Sequence, residues 1–355
     1  TTRNAGSTTP STGAGAPLSL GGSLGREGES EGISREYRLE ERVTVERMPL
    51  KIAIFGQAPF GRDVTTRLAQ AGHEIVGVHV PPDGGGRPDP LAAEAEAKGW
   101  PLFRYKGYRR KGAAIQERVD EYLALGADLN VLPFTTVILP PEIVDAPKFR
   151  SVCFHPSILP AFRGGAALTW QIIEGATESG ISIFQPDEGV DTGPLYLQRA
   201  GVPIEATDTM ASLYFDKLYP MGVEGMVETV AAIGEGTATL TPQREEGASF
   251  QGLMNDEAAR IDLSQPLEAV DCRIRGCDPA PGAWLLRDGA PIRLFGSAIE
   301  SRSDSGKAAG TVLGVDEAGL VLAVSGGSIR IQKLRGSDGK VAAKNSGLVA
   351  GDQLS

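Results

Sequence analysis

From Met48 onward, apolar residues recur with the periods of regular structure; before it they do not. Residues 50–55 (LKIAIF) read as a buried strand closed by Gly56, and 59–71 follow with a helical period. EIVGVHV (74–80) is a second strand, and Asp89-Pro90 opens a helix with an N-cap acceptor and proline at the first helical position. A short strand (101–103), a helix (113–125) and a strand (128–132) continue the alternation. Such alternation predicts an α/β domain with a parallel sheet and helices on both faces. Ligands of these sheets bind beyond the carboxyl ends of the strands. After Glu246-Gly247 the pattern changes to one helix (267–275) and short strand-like runs at 283–286, 292–295, 310–315, 319–324 and 328–334. Gly, Asp and Ser punctuate those runs, which suits a small β-barrel.

Composition narrows the class. With 41% hydrophobic and 23% charged residues in 355, the chain reads as globular and long enough to bury a sizeable core. No run of 18 apolar residues predicts a membrane-spanning helix. Cys153, Cys272 and Cys277 build neither a disulfide scaffold nor a C-x-x-C thiolate site, so a reducing, cytoplasmic setting is expected and no metal. A net charge of −10 argues against a general polyanion binder. Residues 1–47 carry no apolar period and are rich in Gly, Ser and Thr, then in mixed charge, which predicts a disordered tail. A mitochondrial targeting segment is the alternative, but the acids between Arg26 and Arg47 count against it. With Met48 so placed, 1–47 are expected to lie outside the functional protein, and domains are expected at 48–252 and 253–355.

The first turn, Gly56-Gln57-Ala58-Pro59-Phe60-Gly61, matches neither G-x-G-x-x-G nor a P-loop, and no acid closes the second strand. No NAD(P) is therefore expected in this chain. The informative stretch is 151–193. Residues 152–154 finish a strand, with His155-Pro156-Ser157 at its carboxyl end, where Pro156 keeps the histidine extended. The Arg163-Gly164-Gly165 turn leads into a helix (166–174), a strand follows at 180–185, and Asp187-Glu188-Gly189-Val190-Asp191-Thr192-Gly193 is an acidic loop. One histidine and several carboxylates thus occupy loops at neighbouring strand ends, as a general base and its orienting acid require. Lone histidines such as His73 and His79 read as ordinary satisfied polar residues, and acid-glycine loops as ordinary turns. His155 stands apart because HPSxLP and RGG flank it.

HPSILPAFRGG and DEGVDTG, with His155 and Asp191 36 positions apart, resemble the signature of the formyltetrahydrofolate-dependent formyltransferases. That family includes methionyl-tRNA, glycinamide ribonucleotide and amino-sugar formyltransferases. KIAIFGQAPFG, DPLAAEAEAKGWPLF, LGADLNVLPF, IEGATESGISIF, TPQREEGASFQG, IRGCDPAPGAW and IQKLRGSDGK extend the likeness in order over about 48–340. It is strongest toward the N-terminal hydrolase domain of 10-formyltetrahydrofolate dehydrogenases. The resemblance implies a Rossmann-like catalytic domain, a β-barrel C-terminal domain, and 10-formyltetrahydrofolate as formyl donor. It implies His155 and Asp191 as the catalytic pair. The pteridine is expected against the backbone of Leu132-Pro133-Phe134 and Pro186-Asp187-Glu188. Ser157, Arg163 and Gly164 are expected to shape the loop, with the alternative that Arg163 meets the glutamate carboxylate of the folate. Transferases of the family carry Asn two residues before the histidine; Cys153 stands there, a weak donor, as in the dehydrogenase branch, where the residue is apolar. A nucleophilic Cys153 is the sharper alternative, against which stands its place in a buried strand.

Two other readings remain. A methionyl-tRNA formyltransferase would use the basic-aromatic loop Tyr105-Lys106-Gly107-Tyr108-Arg109-Arg110-Lys111, against the overall acidity. A non-catalytic folate-binding module would leave the His155/Asp191 pair unused. The full dehydrogenases of the family add a carrier domain and an aldehyde dehydrogenase domain, so the chain is read as a fragment of one or as a stand-alone domain, without a membrane partner.

Overall fold

The strand segments that read as unbroken apolar runs are buried on both sides, and alternate residues serve two different cores. In the computed structural model, which describes residues 48–84, 86 and 88–355, β1 (Lys51–Phe55), α1 (Ala58–Gln70), β2 (Glu74–Val80), α2 (Pro90–Lys98) and β3 (Leu102–Arg104) follow one another. The expectations for residues 1–47 lie outside the described residues. A hairpin, β4 (Arg109–Arg110) and β5 (Ala113–Ala114), precedes α3 (Gln116–Leu123). Then come β6 (Leu129–Leu132), α4 (Pro141–Val144), β7 (Ser151–His155), α5 (Ala167–Ile173), β8 (Glu178–Phe184), β9 (Leu195–Pro203) and a helical run over 210–234, here α6, with a π-type turn at 213–218.

The helix expected from 113 begins only at Gln116. Lys111 (φ 51°) and Gly112 (φ 83°) both take left-handed backbone, which is what a two-residue hairpin turn needs, and Arg110 pairs with Ala113 across it.

The seven strands run in the order β3-β2-β1-β6-β7-β8-β9. The first five are parallel, as the alternation predicts, whereas β8 returns antiparallel to β7 and β9 pairs antiparallel with β8. The 185–194 loop between β8 and β9 is irregular, and no short turn signal announces the reversal. Ile52, Ile54, Val152, Phe154, Ile181 and Ile183 face α1, α2 and α6 through Val64, Leu91 and Met226. Their neighbours Ala53, Phe55, Cys153 and Phe184 face the opposite way, against Val119, Tyr122 and Ile143 of α3 and α4. Each fully buried Leu, Ile or Phe contributes about 1.5–3 kcal/mol.

A separate core gathers α7 (Leu267–Gly276) and an antiparallel sheet. Its strands are β10 (Ala283–Arg287), β11 (Ala290–Ser301), β12 (Val312–Asp316), β13 (Gly319–Val324), β14 (Gly327–Gly336) and β15 (Gly339–Ala342). They run in the order β10-β11-β14-β13-β12, with β15 added to β14. The last residues bridge its two edges: Leu286 and Ser355 exchange backbone hydrogen bonds, while Val312 N–H donates to Asp352 and Leu354 N–H to Gly310. That closure removes exposed strand edges. Among the described residues no helix is long and apolar enough to cross a membrane.

Candidate active site

His155 is the last residue of β7 and 5% exposed, on the same side of the sheet as Cys153 by strand alternation. Its Nε2 lies 2.8 Å from the Phe162 carbonyl oxygen. A carbonyl only accepts, so Nε2 carries the hydrogen and Nδ1 is the position left to gain or lose a proton. Nδ1 lies 3.5 Å from Asp191 Oδ2, and Gly164 N–H donates to that same oxygen at 2.8 Å. The two residues expected to form the catalytic pair are therefore side by side. β8 ends with Phe184 opposite Cys153, so the acidic loop leaves the sheet level with the middle of β7 and folds back to carry Asp191 to His155.

The loop between His155 and Gly165 is held by side chains of its surroundings. Ser157 Oγ donates to the Ala161 carbonyl (2.7 Å), Ser182 Oγ to the Ser157 carbonyl (2.7 Å) and Gln171 Nε2 to the Pro156 carbonyl (2.9 Å). Phe162 (φ 58°) and Asp191 (φ 55°) both hold left-handed backbone, a strain of about 1–3 kcal/mol each that persists only where surroundings impose it. Gly164 (φ 105°) is required as glycine: a Cβ there would lie 2.5 Å from the Gln251 carbonyl oxygen.

Arg163 is 8% exposed, and its guanidinium donates to Gln243 Oε1 at 2.9 and 3.3 Å. The fork is turned inward, onto a neutral amide and, at 3.5 Å, Glu245.

The segments expected against a pteridine divide. Leu132 is 4% exposed within a core, and Pro133 packs on Gly56, where a Cβ would lie 2.9 Å from its ring. Phe134 is 40% exposed, and with residues 135–137 it borders a cleft facing Gly56, Gln57 and Tyr105. Pro186 is half-buried and Glu188 exposed. Asp187 braces its own loop, accepting from Gly189 N–H (3.0 Å) and Thr192 Oγ1 (2.5 Å).

Cys153 sits among Leu132, Phe184 and other core residues. Burial pushes its thiol well up, and the Asp191 charge adds to that shift. A thiol so protonated is a poor nucleophile. His73 accepts from Leu50 N–H at 3.2 Å. His79 is stacked between Phe55 (4.3 Å) and Phe103 (4.6 Å), its Nδ1 2.7 Å from the Tyr108 hydroxyl, and burial lowers its pKa to about 3. It is thus a neutral core residue, but half-satisfied, because Nε2 is buried without a partner among the described residues.

At the start of α1 the Ala58 N–H donates to Asp89 Oδ2 at 2.7 Å, while Oδ1 of the same carboxylate caps α2 through Leu91 N–H at 2.9 Å. A side-chain anion therefore occupies the helix end that a phosphate would take.

Residues outside the sequence reading complete the site. Gln243 donates to the Asp191 and Gly193 carbonyls, and Ser249 Oγ accepts from Phe162 N–H at 2.8 Å. Both belong to TPQREEGASFQG, a stretch of the resemblance without a titratable side chain of its own at these two positions.

Comparison with known proteins agrees with this architecture. Residues 50–230 match the model of the family described as formyl transferase, and 253–347 match that of its C-terminal domain. A mitochondrial 10-formyltetrahydrofolate dehydrogenase of Mus musculus is 39% identical over 310 residues, covering 85% of this chain and 34% of the mouse protein. The chain thus spans about a third of the length of that relative. A methionyl-tRNA formyltransferase of Rhodopseudomonas palustris (strain BisB18) is 37% identical over 297 residues, 81% of this chain and 92% of that protein. HypX from Aquifex aeolicus, solved in complex with tetrahydrofolic acid, shares the fold at TM-score 0.62 and 21% identity, over 83% of this chain and 46% of that one. On these matches the chain belongs to the formyltransferase family.

Proposed function

We propose that the chain removes the formyl group of 10-formyltetrahydrofolate, with His155 and Asp191 as its acid-base pair, in a catalytic domain of residues 48–252 followed by a C-terminal domain of residues 253–355. The observation that carries this reading is the 3.5 Å approach of His155 Nδ1 to Asp191 Oδ2, reached from loops that begin at different levels of the sheet. The formyl carbon is amide-like, and attack on it needs a proton acceptor for the nucleophile and a stabiliser for the oxyanion.

With Nε2–H held by the Phe162 carbonyl, Nδ1 is the imidazole position that meets the formyl oxygen. When protonated it donates to the developing oxyanion. Asp191 takes the proton of the attacking water or acceptor, while Gly164 N–H donates to one oxygen of its carboxylate. The tetrahedral intermediate then collapses. The C–N10 bond breaks, N10 takes up the proton, and tetrahydrofolate leaves with formate or with the formylated acceptor as the second product. The exposed Phe134 ring and the backbone of 134–137 offer an apolar and hydrogen-bonding wall for the pteridine. The Asp89 carboxylate at the start of α1 supports a reading without a bound nicotinamide dinucleotide.

Cys153 in place of a donating amide favours the dehydrogenase-like branch, with water or a carrier thiol as acceptor, in a reducing, cytoplasmic setting. The second reading, transfer to an aminoacyl-tRNA, is favoured by the exposed Arg109, Arg110 and Lys111 of the β4–β5 hairpin. Products formed from 10-formyltetrahydrofolate with water alone, with a phosphopantetheine thiol and with methionyl-tRNA separate the two. Formate or a formyl thioester supports the first reading; formyl-methionyl-tRNA as the sole product contradicts it.

A further inference from the structure

After α6 the chain crosses back over the site as a strap, residues 241–251. Thr241 and Leu195 exchange backbone hydrogen bonds at 2.8 and 2.9 Å, at the start of β9. Ser249 accepts from Arg163 N–H at 2.9 Å and donates its own N–H to Pro160, and Gln251 N–H donates to the Arg163 carbonyl. One strap thus touches the loop that follows His155 and the loop that carries Asp191. Gln243 joins them. Its Nε2 donates to the Asp191 carbonyl at 2.8 Å and the Gly193 carbonyl at 2.7 Å, while its Oε1 accepts the Arg163 guanidinium. Those partners fix the amide's orientation: two carbonyls need donors and a guanidinium needs an acceptor. Glutamate supplies only acceptors, methionine neither, lysine and arginine only donors.

Asp191 takes left-handed backbone (φ 55°), which aspartate visits more readily than most residues but only as a minority conformation, so a clamp on the turn keeps it in place. The carbonyls on either side of Thr192 are the handles by which the turn is held, and the Asp191 carboxylate projects from it toward His155 Nδ1. We propose that Gln243, anchored by Arg163, is a positioning residue that sets the direction of the Asp191 carboxylate. This inference rests on the formyl-release reading above. A displacement of about 1 Å at a reacting group can cost about 10²-fold in rate.

The test compares Gln243→Met, which removes every polar contact of the side chain, with Gln243→Glu, which keeps an acceptor for Arg163 but turns a carboxylate oxygen in place of the donors toward the loop. Single-turnover formyl release, folate titration and thermal midpoint are measured for each, and Gln243→Met is also made in the Asp191→Asn background. Expected are folded variants with folate affinity within about threefold of wild type, rates down about 10²-fold, and little further loss in the double variant. Arg163→Lys, which still donates to Oε1, should fall between wild type and Gln243→Met. The inference is overturned if either folded Gln243 variant keeps more than a third of the rate, if affinity falls while the rate holds, or if the loss adds fully to that of Asp191→Asn. Loss of the folded state in both variants would make the role structural and overturn it too. A wild-type chain without turnover sinks the underlying reading as well, whereas turnover with an indifferent Gln243 sinks the inference alone.

Discussion

Replacing Asp191 with asparagine separates the charge of this residue from its shape. The amide oxygen can keep the Gly164 N–H bond now made at 2.8 Å, and its nitrogen takes the place of the second carboxylate oxygen. Asparagine also tolerates left-handed backbone well, so φ 55° is no obstacle and the thermal midpoint should barely move. Two things are lost: the proton acceptor, and the negative charge 3.5 Å from His155 Nδ1. General base catalysis contributes about 10²–10⁴-fold, equivalent to about 2.7–5.5 kcal/mol of barrier. Single-turnover formation of tetrahydrofolate should therefore slow by at least about 10²-fold, with folate affinity by titration near that of the wild type. His155→Ala should also inactivate. The His155→Ala/Asp191→Asn double variant should be little worse than either single, because residues that act as one unit are not additive. An Asp191→Asn protein that keeps more than about a tenth of the rate would refute the proton-acceptor role, since that is less than the smallest effect such a base ordinarily has.

Substitutions at two further residues probe the surroundings. Cys153→Ala should keep most of the activity, since a buried protonated thiol stabilises an oxyanion weakly, and a folded but inactive Cys153→Ala that still binds folate would point to covalent chemistry at the thiol. Cys153→Asn should raise the rate if its amide reaches the oxyanion, where one donor is worth about 10²–10³-fold; an unpaired amide among Leu132 and Phe184 would instead cost about 1–3 kcal/mol of stability. His79, with a folded pKa of about 3 below the ordinary 6.5, gives stability that is whole above pH 6.5 and drains as pH falls toward 3, about 2–3 kcal/mol being gone at pH 4.5. Denaturant midpoints at pH 7 and 4.5 should thus diverge less for His79→Phe than for the wild type, and parallel losses would show that His79 is not the acid-labile group.

That a histidine meets an acidic loop was legible because the elements are local, a histidine fixed by Pro156, a glycine turn and an acidic loop after the next strand, while Asp191 among those acids came from the family resemblance. The shell that holds the pair was not. Phe162 presents a backbone carbonyl, which every residue possesses, and Gln243 and Ser249 reach their partners across 52 and 87 residues of chain. Arg163 carried a charge that suited a carboxylate, yet its direction is set by the strap, a contact no local pattern encodes. Strands were read where both faces are buried, as in β1 and β7, and missed where they are half-exposed: β9 shows no clean alternation, and β15 is almost wholly exposed. The antiparallel return of β8 was hidden for a related reason, since a buried strand looks the same in either direction.

Incubation of the wild-type chain with 10-formyltetrahydrofolate, with no NAD(P) present, tests the central claim most directly. Tetrahydrofolate and formate, or tetrahydrofolate and a formylated acceptor when one is supplied, should form in equal amounts, and Asp191→Asn should form them at least about 10²-fold more slowly. Release that depends strictly on a nicotinamide cofactor, or its absence from a folded wild type that binds the folate, would contradict the account.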